Sequence, residues 1–458
     1  MATKTASPGH ARKASKDSSG PLSQDPHVLP GTSAPAREKR HKAVRAATVE
    51  GVANNPVLSA SGNYVTPFAI ALDASALQIG LLNGWPNLAA ALSQFLAPSL
   101  VKRLGTRRRM MLLAIVLSML AWGGMMAIPF LLPGSKVWWL IGLAVLSLIA
   151  YYLPQGAFGS WMSDLVPARR LGKVMGARTA LASIGIIVVI LGGGFILDWF
   201  DSNVFLGFSI VFGTILALRL ISLGIFARMY EPPYDARSEP RHNLAEFLRG
   251  SLRSNLGLYL FAYALLFYGV SVSGPFFAVF MLKELKFSYL TYMGVSVAST
   301  LVTLVGVLFW GPFADKFGNV RVMKITLTGM CVVPLMWIWV DVPIKAYIVN
   351  MLAGVVWSGF TMVSLNFVYE ASAREERVRN VAYLFAFQGI AAFLGNMTGG
   401  AIQPHVPQIL GSSVIALFIV SSGVRFGALA LLLTKVHEVR RLSPRGAPRR
   451  HVTPPSAP

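Results

Sequence analysis

The sequence predicts an all-α membrane protein of twelve transmembrane helices, arranged as two pseudosymmetric six-helix bundles with both termini cytoplasmic. Three observations lead there. Of 458 residues, 54% are hydrophobic and only 13% are charged. An ordinary soluble chain carries about 25% charge, so too little polar surface remains for solvated domains. Apolar runs long enough to cross a hydrocarbon core of about 30 Å follow one another closely, from residue 50 to residue 434. The two halves of the chain also repeat each other at a nearly constant offset.

Taken in order, residues 1–45 are rich in Lys, Arg, Ser, Pro and Gly and lack the apolar core of a cleavable signal, so a disordered basic tail is expected. Spans are expected at 50–72, 77–100, 110–132, 137–162, 174–198 and 204–228, forming a first bundle over 46–230. A second bundle over 255–435 takes spans at 256–282, 289–312, 322–340, 344–369, 380–402 and 411–434. In lipid the backbone must satisfy its own hydrogen bonds, and runs this long do so as helices rather than barrel strands. Between the bundles, 231–254 reads as a cytoplasmic linker. Within it Leu244, Phe247, Leu248 and Leu252 recur at the spacing of a short amphipathic helix. Residues 436–458 form a second basic tail.

Of the 41 Lys and Arg residues, 35 fall in the tails and in the loops on the side of the termini. Four, namely Lys136, Lys283, Lys286 and Lys345, fall on the other side. That split places both termini and the linker in the cytoplasm, and the chain in the cytoplasmic (inner) membrane. The net charge of +22 is dispersed over tails and short loops, so lipid and not nucleic acid is the expected charged partner. A single cysteine, Cys331, excludes an intrachain disulfide and a cysteine-built metal site. No phosphate-cradling glycine loop with its lysine, metal-ligand cluster or nucleophile–base pair stands out, so neither a cofactor nor an enzyme is expected.

The repeat gives the architecture. An offset of 206 superposes Asp164 on Glu370, Gly193 and Gly194 on Gly399 and Gly400, and Arg219 on Arg425. An offset of 208 superposes Pro67 and Phe68 on Pro275 and Phe276, and one of 213 superposes Gly105 on Gly318 and Arg108 on Arg321. Several matches in order point to two parallel halves. The segment Gly311-Pro312-Phe313-Ala314-Asp315-Lys316-Phe317-Gly318-Asn319-Val320-Arg321 is similar to the G-x-x-x-D-R-x-G-R-R loop of the major facilitator superfamily of secondary transporters. The resemblance covers about residues 46–440, and a monomer is the state it implies. The first-half counterpart keeps Gly105, Arg107 and Arg108 but has Lys102 at the aspartate position. The resemblance implies gating by this loop. Its carboxylate caps a helix start across the half, and its arginine pairs with an acid ending the fourth or tenth helix, here Asp164 or Glu370. The substitution by Lys102 implies an asymmetric gate anchored chiefly by Asp315.

The helices that line the central cavity in the resembled family are the first, fourth, seventh and tenth. In the first, Asn55, Ser59 and Asn63 share one face with Thr66 close by, a polar stripe that is costly unless it faces water. The offsets map Asn55 and Asn63 onto Tyr263 and Ser271, and Tyr151 and Gln155 onto Trp357 and Thr361. These residues, with Tyr152 beside Tyr151, form the expected solute site, the alternative being that they hold helices together. In the fourth helix, Leu148, Gln155 and Gly156 fit the L-x-x-x-R-x-x-Q-G motif of proton-linked antiporters, but Tyr152 occupies the arginine position. Gly192-Gly193-Gly194 likewise lacks the Gly-Pro pair of the drug-antiporter signature. No Asp, Glu, Lys or His is expected near the middle of a span, Glu50 included. Arg219 and Arg425 are the basic residues of the spans that lie away from span ends; both are expected to snorkel to the cytoplasmic end, the alternative being contact with an anionic substrate.

The expected function is therefore alternating-access transport of a small solute, a neutral polar compound such as a sugar or nucleoside. Export of lipophilic compounds is the alternative within transport, and a non-transporting membrane sensor or scaffold the alternative outside it.

Overall fold

The computed structural model describes residues 34–94, 96–131, 134–233, 254–372 and 376–438. The first half contains α1 (Ala34–Ala71), α2 (Ala76–Ser93), α3 (Ala97–Leu104), α4 (Arg107–Leu131), α5 (Lys136–Tyr152), α6 (Gln155–Leu165), α7 (Ala168–Trp199) and α8 (Val204–Arg228). The second contains α9 (Asn255–Ser273), α10 (Phe276–Val279), a π turn (Phe280–Glu284), α11 (Tyr289–Phe317), α12 (Asn319–Met336), α13 (Pro343–Ala371), α14 (Arg377–Ile402) and α15 (Ser413–Lys435). Prolines punctuate three crossings, because each lacks an amide proton for the helix ladder. Pro98 opens α3 after α2, Pro154 separates α5 from α6, and Pro275 separates α9 from α10. Joined across these breaks, the described helices make twelve helical units.

Ten of the units are long and apolar enough to cross a membrane. The two that fall short are α1 and α2, and composition explains both: α1 carries Glu50, Asn54, Asn55, Ser59 and Asn63, and α2 carries Gln78, Asn83 and Asn87. Serine hydroxyls fix several helix starts by accepting an otherwise unpaired amide. Ser75 forms a capping box with Gln78 at α2, while Ser254, Ser288 and Ser412 open α9, α11 and α15. Side chains such as Ile184, Val188, Val305 and Leu308 are more than 60% exposed on the outer faces of α7 and α11, as lipid-facing positions should be.

Two boundaries differ from expectation. Helix α1 already begins at Ala34, and its Ala43 and Ala47 are buried, so 34–45 belongs to the folded body rather than to a disordered tail. At the other end Val436 is buried, so the folded body runs past residue 435. The remainder of both tails and the Leu244–Leu252 stretch of the linker lie outside the described residues.

The arrangement of buried side chains shows how the halves meet. One core joins both halves at the end opposite the termini, running from Tyr64, Phe68 and Phe212 to Val272, Phe276 and Met293. At the terminal end the cores are separate: Trp161, Met162 and Phe226 belong to one, Tyr259, Met323 and Phe367 to another. The molecule is thus closed at the outer end and split at the terminal end. The closure uses glycines where backbones touch. A Cβ on Gly80 of α2 would lie 2.5 Å from the Asn396 carbonyl oxygen and 3.1 Å from the Gly400 Cα of α14. Across the other seam, Gly194 of α7 faces Leu290 and Met293 of α11, and the Asp198 carboxylate accepts from the Leu290 amide at 3.3 Å.

Gly80→Leu is expected to force α2 from α14 and cost about 1–3 kcal/mol, the usual penalty of overpacking. The thermal midpoint of the purified protein should fall, and a thiol placed at Asn83 should become reactive from the outer side. An unchanged midpoint and an unreactive thiol would show that the seam does not depend on this contact.

Candidate solute-binding cavity and gate

Between the halves, below the closed outer end, lies a cavity of about 390 Å3. Its polar walls come from both sides: Thr66, Asn83 and Asn87 from the first half, and Ser271, Tyr292, Ser296, Asn350 and Asn396 from the second. Trp337 and Trp357 supply aromatic surface. The amides are oriented by bonds to their own scaffold. Asn83 donates to Thr66 at 3.1 Å and to the Ile79 carbonyl at 3.0 Å; Asn396 donates across the halves to the Asn83 carbonyl at 3.2 Å; Asn350 donates to the Val295 carbonyl at 2.9 Å. The Asn83 oxygen in turn accepts from Thr66 at 3.3 Å, so the acceptors these bonds leave for a solute are the side-chain oxygens of Asn350 and Asn396.

The residues expected to form this site divide into three groups. Ser271 and Trp357 line the central cavity, and so does Thr66 beside the α1 stripe. Tyr151 and Gln155 line a second, smaller cavity inside the first half, and Tyr152 packs edge-on against Tyr151 at 5.3 Å. Asn55, Ser59 and Asn63 are half-buried on α1 and line neither; Asn63 bonds back to the Ser59 carbonyl at 2.8 Å. Tyr263 donates to Gln388 at 3.0 Å and stacks on Phe360, and Thr361 is exposed on α13. The sequence reading missed Asn83, Asn87, Asn350 and Asn396. Their signal was available in α2, where Asn83 and Asn87 stand four apart, one helical turn, in an otherwise apolar run.

The charged residues of the spans also differ from expectation. Neither Arg219 nor Arg425 snorkels: they are 2% and 4% exposed. Arg219 donates to Asn54 at 2.6 Å; Arg425 donates to the Met330 carbonyl at 2.8 Å and to Ser273 at 3.2 Å, and reaches the central cavity. Glu50 is not at a span end but halfway along α1, 1% exposed and 2.8 Å from Arg178 of α7. Because α1 and α7 run further toward the terminal end than hydropathy suggests, both charges fall inside the bundle.

At the terminal end, Gly105 takes a φ of +77° and closes α3, a left-handed conformation that glycine adopts without strain. It delivers Arg107, fully buried, onto Asp164 at 2.6 Å and Glu231 at 3.3 Å. Glu231 also accepts the backbone amides of Arg107 and Arg108 at 2.8 and 3.1 Å, so a carboxylate sits on the N-terminus of α4 where the helix dipole favours it. The second half repeats the design with changed parts. Gly318 has a φ of +90°, Glu438 accepts the Val320 amide at 2.8 Å, and Asn319 takes the place of the arginine, donating to Glu370 at 2.9 Å. Arg321 instead lies over the Phe317 ring at 5.6 Å, and Asp315 is exposed at the end of α11. A buried ionic anchor therefore belongs to the first-half loop, in addition to the expected contribution of Asp315 in the second.

Residues 57–259 and 259–457 each match the sequence profile of the Major Facilitator Superfamily, one match per half. The chain belongs to the Major Facilitator Superfamily. It is a multi-pass membrane transporter, and the profile matches recover the two-half division that the offsets indicate. A "Multi-drug resistance efflux pump PmrA homolog" of Lactococcus lactis subsp. lactis (strain IL1403) is 25% identical over 354 residues, covering 74% of this chain and 83% of that protein. The crystal structure of the nucleoside transporter NupG superposes with a TM-score of 0.67 at 13% identity, over 86% of this chain and 98% of that one. The xylose transporter XylE from E. coli, in an inward open conformation, gives 0.62 at 16%, over 88% and 96%. A bacterial homologue of the human lysosomal transporter Spinster, inward-facing and unoccupied, gives 0.64 at 15%, over 88% and 96%. At these identities the superpositions establish the shared fold.

For this superfamily member, Arg107→Ala leaves Glu231 and Asp164 without their cation. Asp164 has a side chain 44% exposed, so water recovers part of the loss. The expected cost is about 3 kcal/mol, at the low end for breaking a buried pair. Arg321→Ala should cost under about 1 kcal/mol. Thermal unfolding of the two variants side by side checks the ranking, and equal losses would contradict it.

Proposed function

We propose that the protein carries a neutral polar solute, of the size and chemistry of a sugar or nucleoside, across the cytoplasmic membrane by alternating access. It works as a monomer and as a carrier rather than an enzyme. The observation that supports this most is the wall of the central cavity: amides and hydroxyls contributed by both halves, next to two tryptophans, with Arg425 as a single charge held by the Met330 carbonyl and Ser273. Hydroxyl-rich solutes need donors and acceptors on opposite sides and an apolar surface for their ring faces, and this wall supplies both. Because the wall is divided between the halves, a bound solute can bridge them and favour rocking toward closure at the terminal end. The excess of Lys and Arg on the side of the termini makes that side cytoplasmic, so the split end is an inward-facing mouth.

The names of NupG and XylE place nucleosides and xylose on this fold, which is compatible with the reading but does not carry it. A second reading, export of lipophilic compounds, is favoured by the efflux-pump name of the 25% relative and by Trp337, Trp357 and Phe277 on the cavity wall.

Ligand-induced thermal stabilisation of the purified protein separates the two. At a hundred times its dissociation constant a true ligand adds about 2.7 kcal/mol to the folded state. One class of sugars or nucleosides should stabilise it and be moved by proteoliposomes. Asn87→Ala, an exposed amide on the cavity wall, should weaken that ligand up to about tenfold, the worth of one hydrogen bond. Stabilisation confined to lipophilic cations would replace the first reading with the second.

A further inference from the structure

The smaller cavity belongs wholly to the first half and has an unbalanced charge. Glu50, Asn54, Tyr151, Gln155, Arg178 and Arg219 supply its polar lining, and Met111, Ile115, Phe158 and Phe226 much of the rest. Arg178 has a counter-ion of its own. Its Nη2 lies 2.8 Å from Glu50, its Nε donates to the Ala47 carbonyl at 3.0 Å, and its guanidinium lies 4.7 Å over the Phe158 ring. Glu50 takes a further bond from Ser222 at 3.2 Å. Among the described residues, Arg219 is hydrogen-bonded to the neutral oxygen of Asn54, its buried Nε has no partner, and Glu50 acts on it through space without a bond. One carboxylate therefore faces two guanidiniums, and among the described residues no other Asp or Glu lines the cavity.

A cation kept from water without a counter-ion is among the costliest features a fold can hold. The free volume beside Arg219 is about 20 Å3. A water-sized particle needs roughly 10–15 Å3 on that measure, so one small particle fits and a solute's carboxylate or phosphate does not. We propose that this cavity binds a single monatomic anion, chloride in the cell. The Arg219 guanidinium supplies the charge, and the Gln155 amide and Tyr151 hydroxyl supply neutral donors. The anion closes the charge balance where α1, α5, α6 and α8 meet, and so stabilises the first half as a rigid body.

The second half provides an internal comparison. Arg425, the repeat of Arg219, also has a buried Nε without a partner, but it opens on the larger central cavity and bonds to Met330 and Ser273. At the offset of 208 that relates α1 to α9, Glu50 falls on the half-buried Leu258, and at 206 Arg178 falls on Leu384, buried among apolar side chains. The charged pocket is thus an addition to one half and not a consequence of the repeat. The proposal does not depend on the identity of the carried solute.

The test uses the detergent-purified full chain, with sodium chloride replacing sodium gluconate at constant ionic strength. Chloride should raise the thermal midpoint saturably, bromide should substitute for it, and anomalous diffraction from bromide crystals should place one peak beside Arg219. Arg219→Gln should abolish the shift. Should that variant not fold, Gln155→Leu is expected to weaken halide binding about tenfold or more, the worth of a hydrogen bond to a charged group. Identical midpoints in chloride and gluconate, an unaltered halide response in the variant that folds, or a cavity without anomalous density would each overturn the proposal.

Discussion

The crossing of α2 over α14, backbone against backbone at Gly80 and Gly400, is the contact on which the rest of the architecture depends. Lipid tails are as apolar as leucine, so two helix bundles in a membrane gain little from burying hydrocarbon against each other. They must instead approach closely and exchange hydrogen bonds. Gly80 and Gly400 permit the approach, and the bond from Asn396 to the Asn83 carbonyl crosses the seam. The same crossing aims Asn83, Asn87 and Asn396 into the central cavity. A helix as polar as α2 survives in the membrane because its amides look into this cavity and at the partner half, away from lipid.

Closure at one end and separation at the other follow from where inter-half contacts are placed. The glycine seams, the Asp198 cap on α11 and the exposed Asp73–Lys283 pair at 3.7 Å all lie at the outer end. None is individually strong; an exposed pair such as the last is worth roughly 0–1 kcal/mol. An interface made of many weak contacts can be exchanged for another of similar total strength, which a carrier needs if both of its states are to be populated. The terminal-end anchors are built differently. Arg107, Asp164 and Glu231 lie within one half, so they stiffen that half and do not have to break when the halves rock.

The helices and the two-half repeat were legible because both rest on long-range regularities: continuous apolar runs and matches such as Gly193-Gly194 with Gly399-Gly400. The partnership of Arg107 with Asp164 was legible through the loop motif. Glu231 was not, because it lies 124 residues from the amide it caps and nothing local marks it. In the second half the motif misled, since an offset of 213 pairs Arg108 with Arg321 whereas the hydrogen bonds pair Arg107 with Asn319. A shift of one residue at a helix start exchanges a buried position for an exposed one. The cavity was half legible for a similar reason. Repeat symmetry reached Ser271 and Trp357, but the stripe on α1 drew attention from the quieter pair on α2. The basic stretch 34–45 reads as a tail by composition, and only the four-residue spacing of Ala43 and Ala47 hints at a helix that buries one face.

Arg219 and Arg425 show how one inherited residue is accommodated in two ways. Each sits at the same place in its half, too deep to reach the headgroups, and each must recover the hydration it has lost. In the second half this is done with a main-chain carbonyl, a serine and access to a cavity large enough for water. In the first half the neighbouring helices contribute a carboxylate and a second guanidinium, so the problem is solved for Arg178 and not for Arg219. The repeat positions of Glu50 and Arg178 on the other side are the leucines Leu258 and Leu384, which bring hydrocarbon in place of charge. A duplicated fold tends to keep its backbone repeat, because helix packing tolerates few alternatives, while its buried polar groups diverge. The first half of this chain is accordingly the charged and internally braced body, and the second half the apolar one that closes against it.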